Sequence, residues 1–529
     1  MLNLFGRSLF VDGPITPGLK EVRLAGRRKI AFGGIVLSSA ILLSSCAIVR
    51  TDYRQPSYKQ PAHQPYSLSS AGVTARKANP IIQQQQYKPQ PLPAIPRTVV
   101  PASKTIGASP EPTQIRPDYE RFKQAFAVTL QQWSRTGNKE VAAVVDFYAT
   151  LGGFPIWYRR EGWNPAATLA HKTLRNAHLD GLNPQSYLPG EGYELEHLSH
   201  LEDFVNAEIM LTQGLMKYLV DVKHGLLNNG SRLVGGKVLK KGLRSRDFGA
   251  WLASVPPQSR QYQGLKVAMG QSGLDQNQRR LIALNLERLR KPRPKRAGRN
   301  LVLNLPAFTL DVYDGERFAF DMPVVIGQKE RPTPIMKDKI VDLKFSPDWS
   351  VPNVVAKEDI LPLLKAKVPI LDKMGVVVQK SGRRVKRPEK ISWRKYNANN
   401  LPYTFWQPPG PKNALGGVRF SLTNPEAITM HDSPERDKFV LAQRMVSSGC
   451  VRVGDAVGLA HWIMSQEKGW SRDLVMKKMG AGRTESVRLD DPVEVDFVYY
   501  TAWIDKKGYV QFGEDVYGHD VVLAKKIGI

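Results

Sequence analysis

The sequence predicts an α+β multidomain protein in which an all-helical domain precedes a β-rich domain. At 529 residues, the chain is long enough for about two or three domains that each bury a core of their own. Apolar residues recur every three or four positions after residue 117, whereas from residue 300 they alternate with polar residues, as in a strand. The composition, 42% hydrophobic and 23% charged, excludes a chain that is disordered throughout.

The N-terminal segment has the form of an export signal. The basic cluster Arg27-Arg28-Lys29 precedes a charge-free apolar run at 30–45. This run is shorter than the roughly 20 residues that a membrane-spanning helix needs, and an anchor helix is the alternative. The sequence Leu43-Ser44-Ser45-Cys46 resembles a bacterial lipobox, which implies cleavage before Cys46 and lipid attachment to its thiol. We therefore expect a protein of the periplasm or cell envelope, anchored to a bacterial membrane through Cys46.

A polar segment separates this signal from the helical domain. Residues 47–117 are rich in Pro, Gln, Ser and Lys without a sustained apolar period, which is typical of a disordered tether. Helical periodicity begins after this tether. Its two clearest apolar stripes are Tyr119, Phe122, Phe126, Leu130 and Trp133, and Leu211, Leu215, Tyr218, Val222 and Leu226. These stripes predict helices that pack into one core across 118–287.

Basic residues and two prolines mark the boundary between the two domains at 288–299. Such a run can bind nucleic acid, but without interleaved aromatic residues it is more typical of a solvated linker. Strand patterns in the β-rich domain, 300–529, flank a segment at 352–412. Between Leu361 and Tyr396 this segment has 11 Lys and Arg against 2 Asp and Glu, a net charge of +9. We interpret 352–412 as an inserted lid.

Charge and absent motifs narrow the choice of partners. The 76 Lys and Arg exceed the 48 Asp and Glu, and the net charge of +28 favours nucleic acid, anionic lipid or the acidic polymers of a cell envelope. The sequence has no glycine-rich phosphate loop and no cluster with the spacing of zinc ligands. We therefore expect no cofactor and no metal, and the export signal favours the envelope over nucleic acid.

A histidine and a cysteine are the candidate reactive residues. His431 follows a predicted strand at 427–430, whose end should expose the imidazole, and Cys450 lies 19 positions later. A cysteine nucleophile needs a base to form the thiolate and backbone N–H groups to receive the developing oxyanion. The turn Ser447-Ser448-Gly449-Cys450 consists of small residues that allow such a close approach. The alternative is a buried structural cysteine and an unrelated histidine.

The spacing resembles the motif of the L,D-transpeptidase catalytic domain of the YkuD type. In that motif, a histidine and a short spacer precede Ser/Thr-His-Gly-Cys, a hydrophobic residue, and Asn or Arg. Here 15 residues separate His431 from Ser447, and Gly449-Cys450-Val451-Arg452 fits the pattern. Ser448 takes the place of the second histidine of the motif. Further blocks that resemble the large periplasmic members of the family are 302–308, 349–352, 409–416 and, in the helical domain, 180–184.

The resemblance implies a peptidoglycan L,D-transpeptidase with a helical scaffold domain, a β-rich catalytic domain and a lid. In such an enzyme Cys450 would be the nucleophile and His431 the proton acceptor and donor. Ser448 and Gly449 would contribute to the oxyanion site, and Arg452 would bind a substrate carboxylate or form a structural ion pair. The implied partners are peptidoglycan stem peptides, with outer-membrane or periplasmic proteins as further possible acyl acceptors. The alternative functions are L,D-carboxypeptidase activity and the attachment or detachment of envelope proteins.

Overall fold

The structure, a computed structural model, describes residues 116–136, 138–188, 194–227, 232–291 and 297–529. The predicted signal at 1–46, with its Cys46, lies outside the described residues. Almost all of the predicted tether and the middle of the predicted linker also lie outside them. In the described part of the chain, no helix combines the length and the apolar character needed to cross a membrane.

Helices make up most of the described chain up to residue 289, as the apolar period predicts. Their bounds are α1 Tyr119–Ser134, α2 Lys139–Ala149, α3 Pro165–Arg175, α4 Leu201–His224, α5 Arg232–Leu243, α6 Phe248–Ser254, α7 Arg260–Met269 and α8 Gln276–Leu289. A short hairpin of β1 Tyr158–Arg159 and β2 Gly162–Trp163 lies between α2 and α3. The predicted stripes face one core, in which Phe122, Phe126 and Leu215 are fully buried.

Strands dominate from Arg299 onward, which confirms the predicted α+β arrangement. In chain order they are β3 Arg299–Asn304, β4 Thr309–Asp314, β5 Arg317–Gly327, β6 Met336–Phe345, β7 Trp349–Ser350, β8 Val377–Lys380, β9 Arg383–Arg384, β10 Tyr403–Gln407, β11 Val418–Ser421, β12 Met430–His431, β13 Met445–Ser447, β14 Val451–Val453, β15 Glu485–Val498, β16 Ala502–Ile504 and β17 Val510–Phe512. The helices of this region are α9 Asn353–Val355, α10 Leu361–Lys365, α11 Ile370–Met374, α12 Ala456–Lys468, α13 Arg472–Met479 and α14 His519–Ile527.

The main sheet of this region closes into a barrel. Its strand order is β13-β5-β14-β12-β11-β6-β15-β3-β4, and β4 also pairs with β5 near the opposite end. Alternate residues on three central strands lie in the apolar core of the barrel: Val418, Phe420, Met430, Val451 and Val453. Because successive side chains of a strand point to opposite faces, the residues between them point out of the barrel.

The segment predicted as a lid folds around a small core of its own. The strands β7, β10, β8 and β9 form a separate sheet in that order. A π-helical turn at Ala356–Ile360 joins α9 to α10, and Ile360, Val378 and Phe405 are buried in this small core. The segment joins the barrel between β6 and β11, and its role as a lid stays a prediction.

The hairpin of β16 and β17 packs on the helical domain, although we assigned 300–529 to a single β-rich domain. Its Ala502 and Ile504 belong to the core of the helices. Gly264 on α7 allows this contact, because a Cβ atom there would lie 2.6 Å from Cγ1 of Ile504. The hairpin therefore links the two domains through packing between residues that are far apart in sequence.

Candidate active site

His431 and Cys450 lie on neighbouring strands of the barrel. The strands β12 and β14 pair in parallel, with Met430 opposite Val451 and His431 opposite Arg452. Residues opposite each other share a face of the sheet, as do alternate residues of one strand. Cys450 directly precedes β14 and stands two residues before Arg452. The imidazole, the thiol and the Arg452 guanidinium therefore face the same side, outside the barrel core.

The imidazole of His431 is buried, with 5% of the residue exposed. Its Nδ1 atom lies 2.5 Å from the backbone carbonyl oxygen of Asp432. A carbonyl oxygen only accepts hydrogen bonds, so Nδ1 carries the proton and Nε2 keeps a lone pair. Burial lowers the pKa of His431 to about 4, assisted by the positive charges of Arg452 and Arg419 and opposed by the Asp432 carbonyl. The imidazole is thus neutral at neutral pH.

Two expectations about His431 are corrected. The sequence predicts a strand at 427–430 that exposes the imidazole at its end, but β12 consists of Met430–His431 and encloses the ring. Ala427 instead has a φ of 57°, in the left-handed region, which interrupts the extended chain before the strand. The short strand pairs on both sides, with β11 and β14, so His431 lies within the sheet and not beyond the end of a strand.

The carboxylate of Asp432 anchors the chain after His431. Its Oδ2 accepts a hydrogen bond from the Gly417 N–H at 2.8 Å, and its Oδ1 accepts one from Arg436 at 2.6 Å. Both oxygens therefore bind groups other than the imidazole. The backbone carbonyl of the same residue orients the ring, and the carboxylate keeps that carbonyl in place.

Cys450 is a half-buried free thiol. Its Sγ lies 4.0 Å from the carbonyl oxygen of Ala427, and no hydrogen bond joins it to His431 within the described residues. Burial raises the pKa of the Cys450 thiol, against the opposing effects of a Thr429 backbone hydrogen bond and of the Arg452 and Arg419 charges. These two pKa shifts favour the thiol form of Cys450 and the neutral form of the His431 imidazole.

Hydrogen bonds hold the turn that precedes Cys450. The Ser447 hydroxyl donates to the Cys450 carbonyl at 2.6 Å and accepts from the Gly449 N–H at 3.2 Å. Gly449 has a φ of 112°, which only glycine adopts readily. The Thr333 hydroxyl donates to the Gly449 carbonyl at 2.7 Å and accepts from the Gly327 N–H at 2.9 Å. The turn is thus fixed to β5, which positions the thiol.

Arg331 connects Ser448 to the inserted segment, a contact that the sequence analysis missed. Its Nη1 donates to the Ser448 hydroxyl at 3.0 Å, and its two Nη atoms bind the Asp359 carboxylate at 2.9 and 2.6 Å. Asp359 lies in the π-helical turn of the insertion. Ser448 itself is exposed, and it replaces a histidine of the family motif. No sequence signal could have found this contact, because it joins three separate segments.

Arg452 has a partner within the chain. Its guanidinium forms an ion pair with the Glu435 carboxylate, in the loop between His431 and β13. Whether Arg452 also binds a substrate carboxylate stays a prediction. Arg419, on β11, is a second arginine beside His431, and it is not among the site residues predicted from the sequence.

The described residues do not suggest a metal site. Within 116–136, 138–188, 194–227, 232–291 and 297–529, no three His, Cys, Asp or Glu side chains cluster in a way that could hold a metal ion.

The fold and the site define a two-domain protein whose barrel presents a cysteine and a histidine on one face. Residues 298–495 match the L,D-transpeptidase catalytic domain family, YkuD, and residues 142–269 match the scaffold domain family. The chain therefore carries an L,D-transpeptidase catalytic domain preceded by a scaffold domain, which confirms the resemblance seen in its sequence.

A curated relative agrees with this assignment. A Haemophilus influenzae protein, provisionally named an L,D-transpeptidase, is 33% identical over an alignment of 250 residues, and the match covers 45% of this chain and 48% of the relative. The chain thus spans about half the length of this curated relative.

Solved structures give weaker similarity. An L,D-transpeptidase from Mycobacterium smegmatis is 17% identical over 38% of this chain and 59% of its own, with a TM-score of 0.17. L,D-transpeptidase 3 from Mycobacterium tuberculosis is 13% identical over 38% and 61%, with a TM-score of 0.18. TM-scores this low establish no shared fold.

Proposed function

We propose that the protein is a peptidoglycan L,D-transpeptidase in which Cys450 is the nucleophile and His431 the base. Nε2 of His431 takes the thiol proton while Sγ attacks the carbonyl carbon between the L-centre and the D-centre of a tetrapeptide stem. The terminal D-Ala leaves with the proton from His431 on its amine, and a thioester remains on Cys450. An acceptor amine then attacks the thioester, which restores the thiol and forms a new amide cross-link.

One observation carries this proposal: the imidazole and the thiol face the same side of two adjacent strands in an L,D-transpeptidase catalytic domain. The orientation of the imidazole supports its role as a base, because Nδ1 binds the Asp432 carbonyl and Nε2 is left to accept a proton. The low pKa of His431 keeps that nitrogen unprotonated at neutral pH.

The turn before Cys450 is the candidate oxyanion site. The Gly449 N–H donates to Ser447, which lies on the same turn, so the Cys450 N–H is the stronger candidate donor. Ser448 takes part indirectly, because its hydroxyl accepts a hydrogen bond from Arg331. Arg452 contributes positive charge near the thiol while it pairs with Glu435.

Two alternative outcomes use the same residues. If water replaces the amine, the enzyme is an L,D-carboxypeptidase that trims stems. If the amine belongs to an outer-membrane or periplasmic protein, the enzyme attaches that protein to the wall, and the reverse reaction detaches it. The acceptor decides among these outcomes, since the acyl-enzyme on Cys450 is common to all of them.

The expected location follows from the sequence alone. Cleavage before Cys46 and lipid attachment would anchor the protein to a membrane in the cell envelope, and the tether at 47–117 would let the described domains reach the wall. Membrane fractionation, with the mass of the N-terminal peptide, tests this proposal. A mature form without lipid that begins well downstream of Cys46 would contradict it.

Muropeptide analysis is the direct test of the reaction. Purified protein is incubated with isolated sacculi, with and without an added amine acceptor, and the products are separated and weighed. Cross-links between L-centres and D-centres, and their absence with Cys450→Ala, are the expected result. Stems shortened by one residue, with no acceptor product, would identify a carboxypeptidase.

A further inference from the structure

Three cations share a row with His431 on the outer face of the barrel. Arg419 on β11 lies opposite His431, and His431 lies opposite Arg452 on β14. On its other side, Arg419 lies opposite Lys344 on β6. Side chains directly opposite each other have Cβ atoms about 4.5 to 5.5 Å apart. A row of four neighbouring side chains therefore crosses the sheet in the order Lys344, Arg419, His431, Arg452.

Of these three cations, Arg419 alone has no carboxylate partner among the described residues. Lys344 binds Asp348 at 2.7 Å, and Arg452 binds Glu435. Nε and Nη2 of Arg419 instead donate to the hydroxyl of Ser421, at 3.2 and 3.1 Å.

This hydroxyl does not neutralise Arg419. It donates its own hydrogen to Asp342 at 2.9 Å, so only its neutral oxygen faces the guanidinium. Nη1 of Arg419 has no partner within the described residues and is not enclosed. A half-buried guanidinium in this state has hydrogen-bond donors and charge available for a carboxylate.

The strand order gives the direction in which a substrate would cross the site. β12 lies between β11 and β14, so His431 has Arg419 on one side and, on the other, Arg452 with Cys450 two residues before it. In the proposed reaction, the attacked carbonyl carbon must reach Cys450, and the leaving amine must reach His431, which protonates it. The leaving residue then extends from His431 toward Arg419. Its carboxyl carbon is two bonds, or about 2.5 Å, from its amine nitrogen.

We propose that Arg419 binds the C-terminal carboxylate of the donor peptide and so selects donors that end one residue after the attacked carbonyl. This inference rests on the proposed transpeptidase function and names the donor group that the site recognises. A donor with one further residue would carry its carboxylate about 3.5 Å beyond this position. A donor whose C-terminus is an amide would offer no negative charge to the guanidinium.

The test uses three synthetic donors and one acceptor amine with the purified protein. The donors are a tetrapeptide stem with a free carboxylate, the same peptide as its C-terminal amide, and a pentapeptide with one added D-residue. We expect the protein to prefer the free tetrapeptide roughly 10- to 100-fold in kcat/KM, the range for one charge-assisted contact. In Arg419→Gln, the value for the free tetrapeptide should fall to that for the amide.

The ratio between donors isolates the binding role of Arg419. The positive charge of Arg419 also lowers the pKa of His431 and of Cys450, so its removal changes the reactivity of the pair. That change affects every donor alike and cancels in the ratio of free acid to amide. Arg419→Lys should retain part of the preference, because it keeps the charge and loses the planar fork. The matched control is Lys344→Gln, which removes the neighbouring cation of the row and should leave the ratio unchanged.

The possible results separate this inference from the proposed function. Transfer from the acid and the amide at equal rates by the unaltered protein would overturn the inference and leave the transpeptidase function intact. An unchanged ratio in Arg419→Gln would also overturn it. Absence of transfer from any donor would instead overturn the proposed function, and this inference with it.

Discussion

Two buried ionisable groups, Glu208 in the helical domain and His431 in the barrel, differ in how completely they are hydrogen-bonded. Glu208 is fully buried, and its carboxylate accepts backbone N–H groups from Ile156, Trp157 and Tyr158 and a hydroxyl from Tyr148. His431 is nearly as buried, yet one carbonyl is its hydrogen-bond partner in the described chain.

The difference distinguishes the structural role of Glu208 from the reactive role proposed for His431. The bonds to Glu208 attach the chain around β1 to α4, and burial nevertheless raises the pKa of the carboxyl to about 7. Because its acceptors are engaged, Glu208 has no capacity left for a ligand. His431 keeps Nε2 available, and that nitrogen is the atom that would accept a proton in the proposed reaction. A buried polar group with a partner missing is thus the better sign of function.

Loss of the nucleophile should produce the largest effect. Cys450→Ala should abolish acyl transfer, because no other thiol lies in the described chain, while thermal unfolding changes little. Incubation with a carbapenem, which the family resemblance implies as an acylating ligand, should give an adduct that peptide mass spectrometry places on Cys450. Full activity in Cys450→Ala would rule out the mechanism.

Loss of the base should have the next largest effect. His431→Ala should lower turnover by roughly 10² to 10⁴, the usual contribution of a general base. In the unaltered protein, kcat/KM should rise with pH as His431 and Cys450 titrate together. Because the pKa of His431 is lowered, this rise should begin below the ordinary histidine pKa. Turnover at the normal rate in His431→Ala would place the base elsewhere. Asp437→Asn, on the same loop but exposed, is the control.

The stability of the two regions should depend on pH with opposite signs. The folded pKa of His431 is depressed to about 4, so its contribution to stability grows as pH rises from about 4 toward its unfolded value near 6.5. The folded pKa of Glu208 is raised to about 7, so its contribution falls as pH rises from its unfolded value near 4.5 to about 7.

Variants can separate these two contributions. Glu208→Gln should be less stable by roughly 1 to 3 kcal/mol, because the amide nitrogen faces N–H donors. It should also gain stability with rising pH, relative to the unaltered protein, by at most about 3 kcal/mol. His431→Asn should show the opposite change. Denaturant unfolding between about pH 4 and pH 7 measures both, and parallel curves for all three proteins would contradict the comparison.

The charge of the insertion should have the smallest effect. Arg383, Arg384, Lys386 and Arg387 are exposed, and we expect them to attract acidic stem peptides. Reversing all four to Glu should raise the apparent KM for sacculi a few-fold and flatten its salt dependence, because the Debye length falls from about 10 Å at 0.1 M to about 3 Å at 1 M salt. Acylation of Cys450 by a small molecule should stay nearly unchanged.

The control for this prediction reverses Lys525 and Lys526, which are exposed near the C-terminus of α14. This control should leave the kinetics on sacculi unaltered. Equal kinetics before and after reversal of the four basic residues of the insertion would show that their charge has no part in recognition.

Local sequence patterns were sufficient to predict the order of the domains and to select His431 and Cys450 as the candidate reactive pair. The apolar stripe around Phe122 and Phe126 predicts helices because its period repeats every turn, and the alternation after residue 300 predicts strands. The motif around His431 and Cys450 has fixed spacing and so can be recognised without coordinates. The catalytic roles of these residues stay predictions until the variants are tested.

Tertiary structure decided what surrounds that pair. Arg419 lies beside His431 through the register of β11 and β12, and Arg331 joins Ser448 to Asp359 across 117 and 28 positions of sequence. Strand register and side-chain hydrogen bonds of this kind depend on which distant segments pack together. The local spacing of apolar residues does not predict that packing. The sequence therefore determined which groups could react, whereas the packing of remote strands determined that His431 is buried, neutral and placed between Cys450 and an arginine without a carboxylate partner in the described chain.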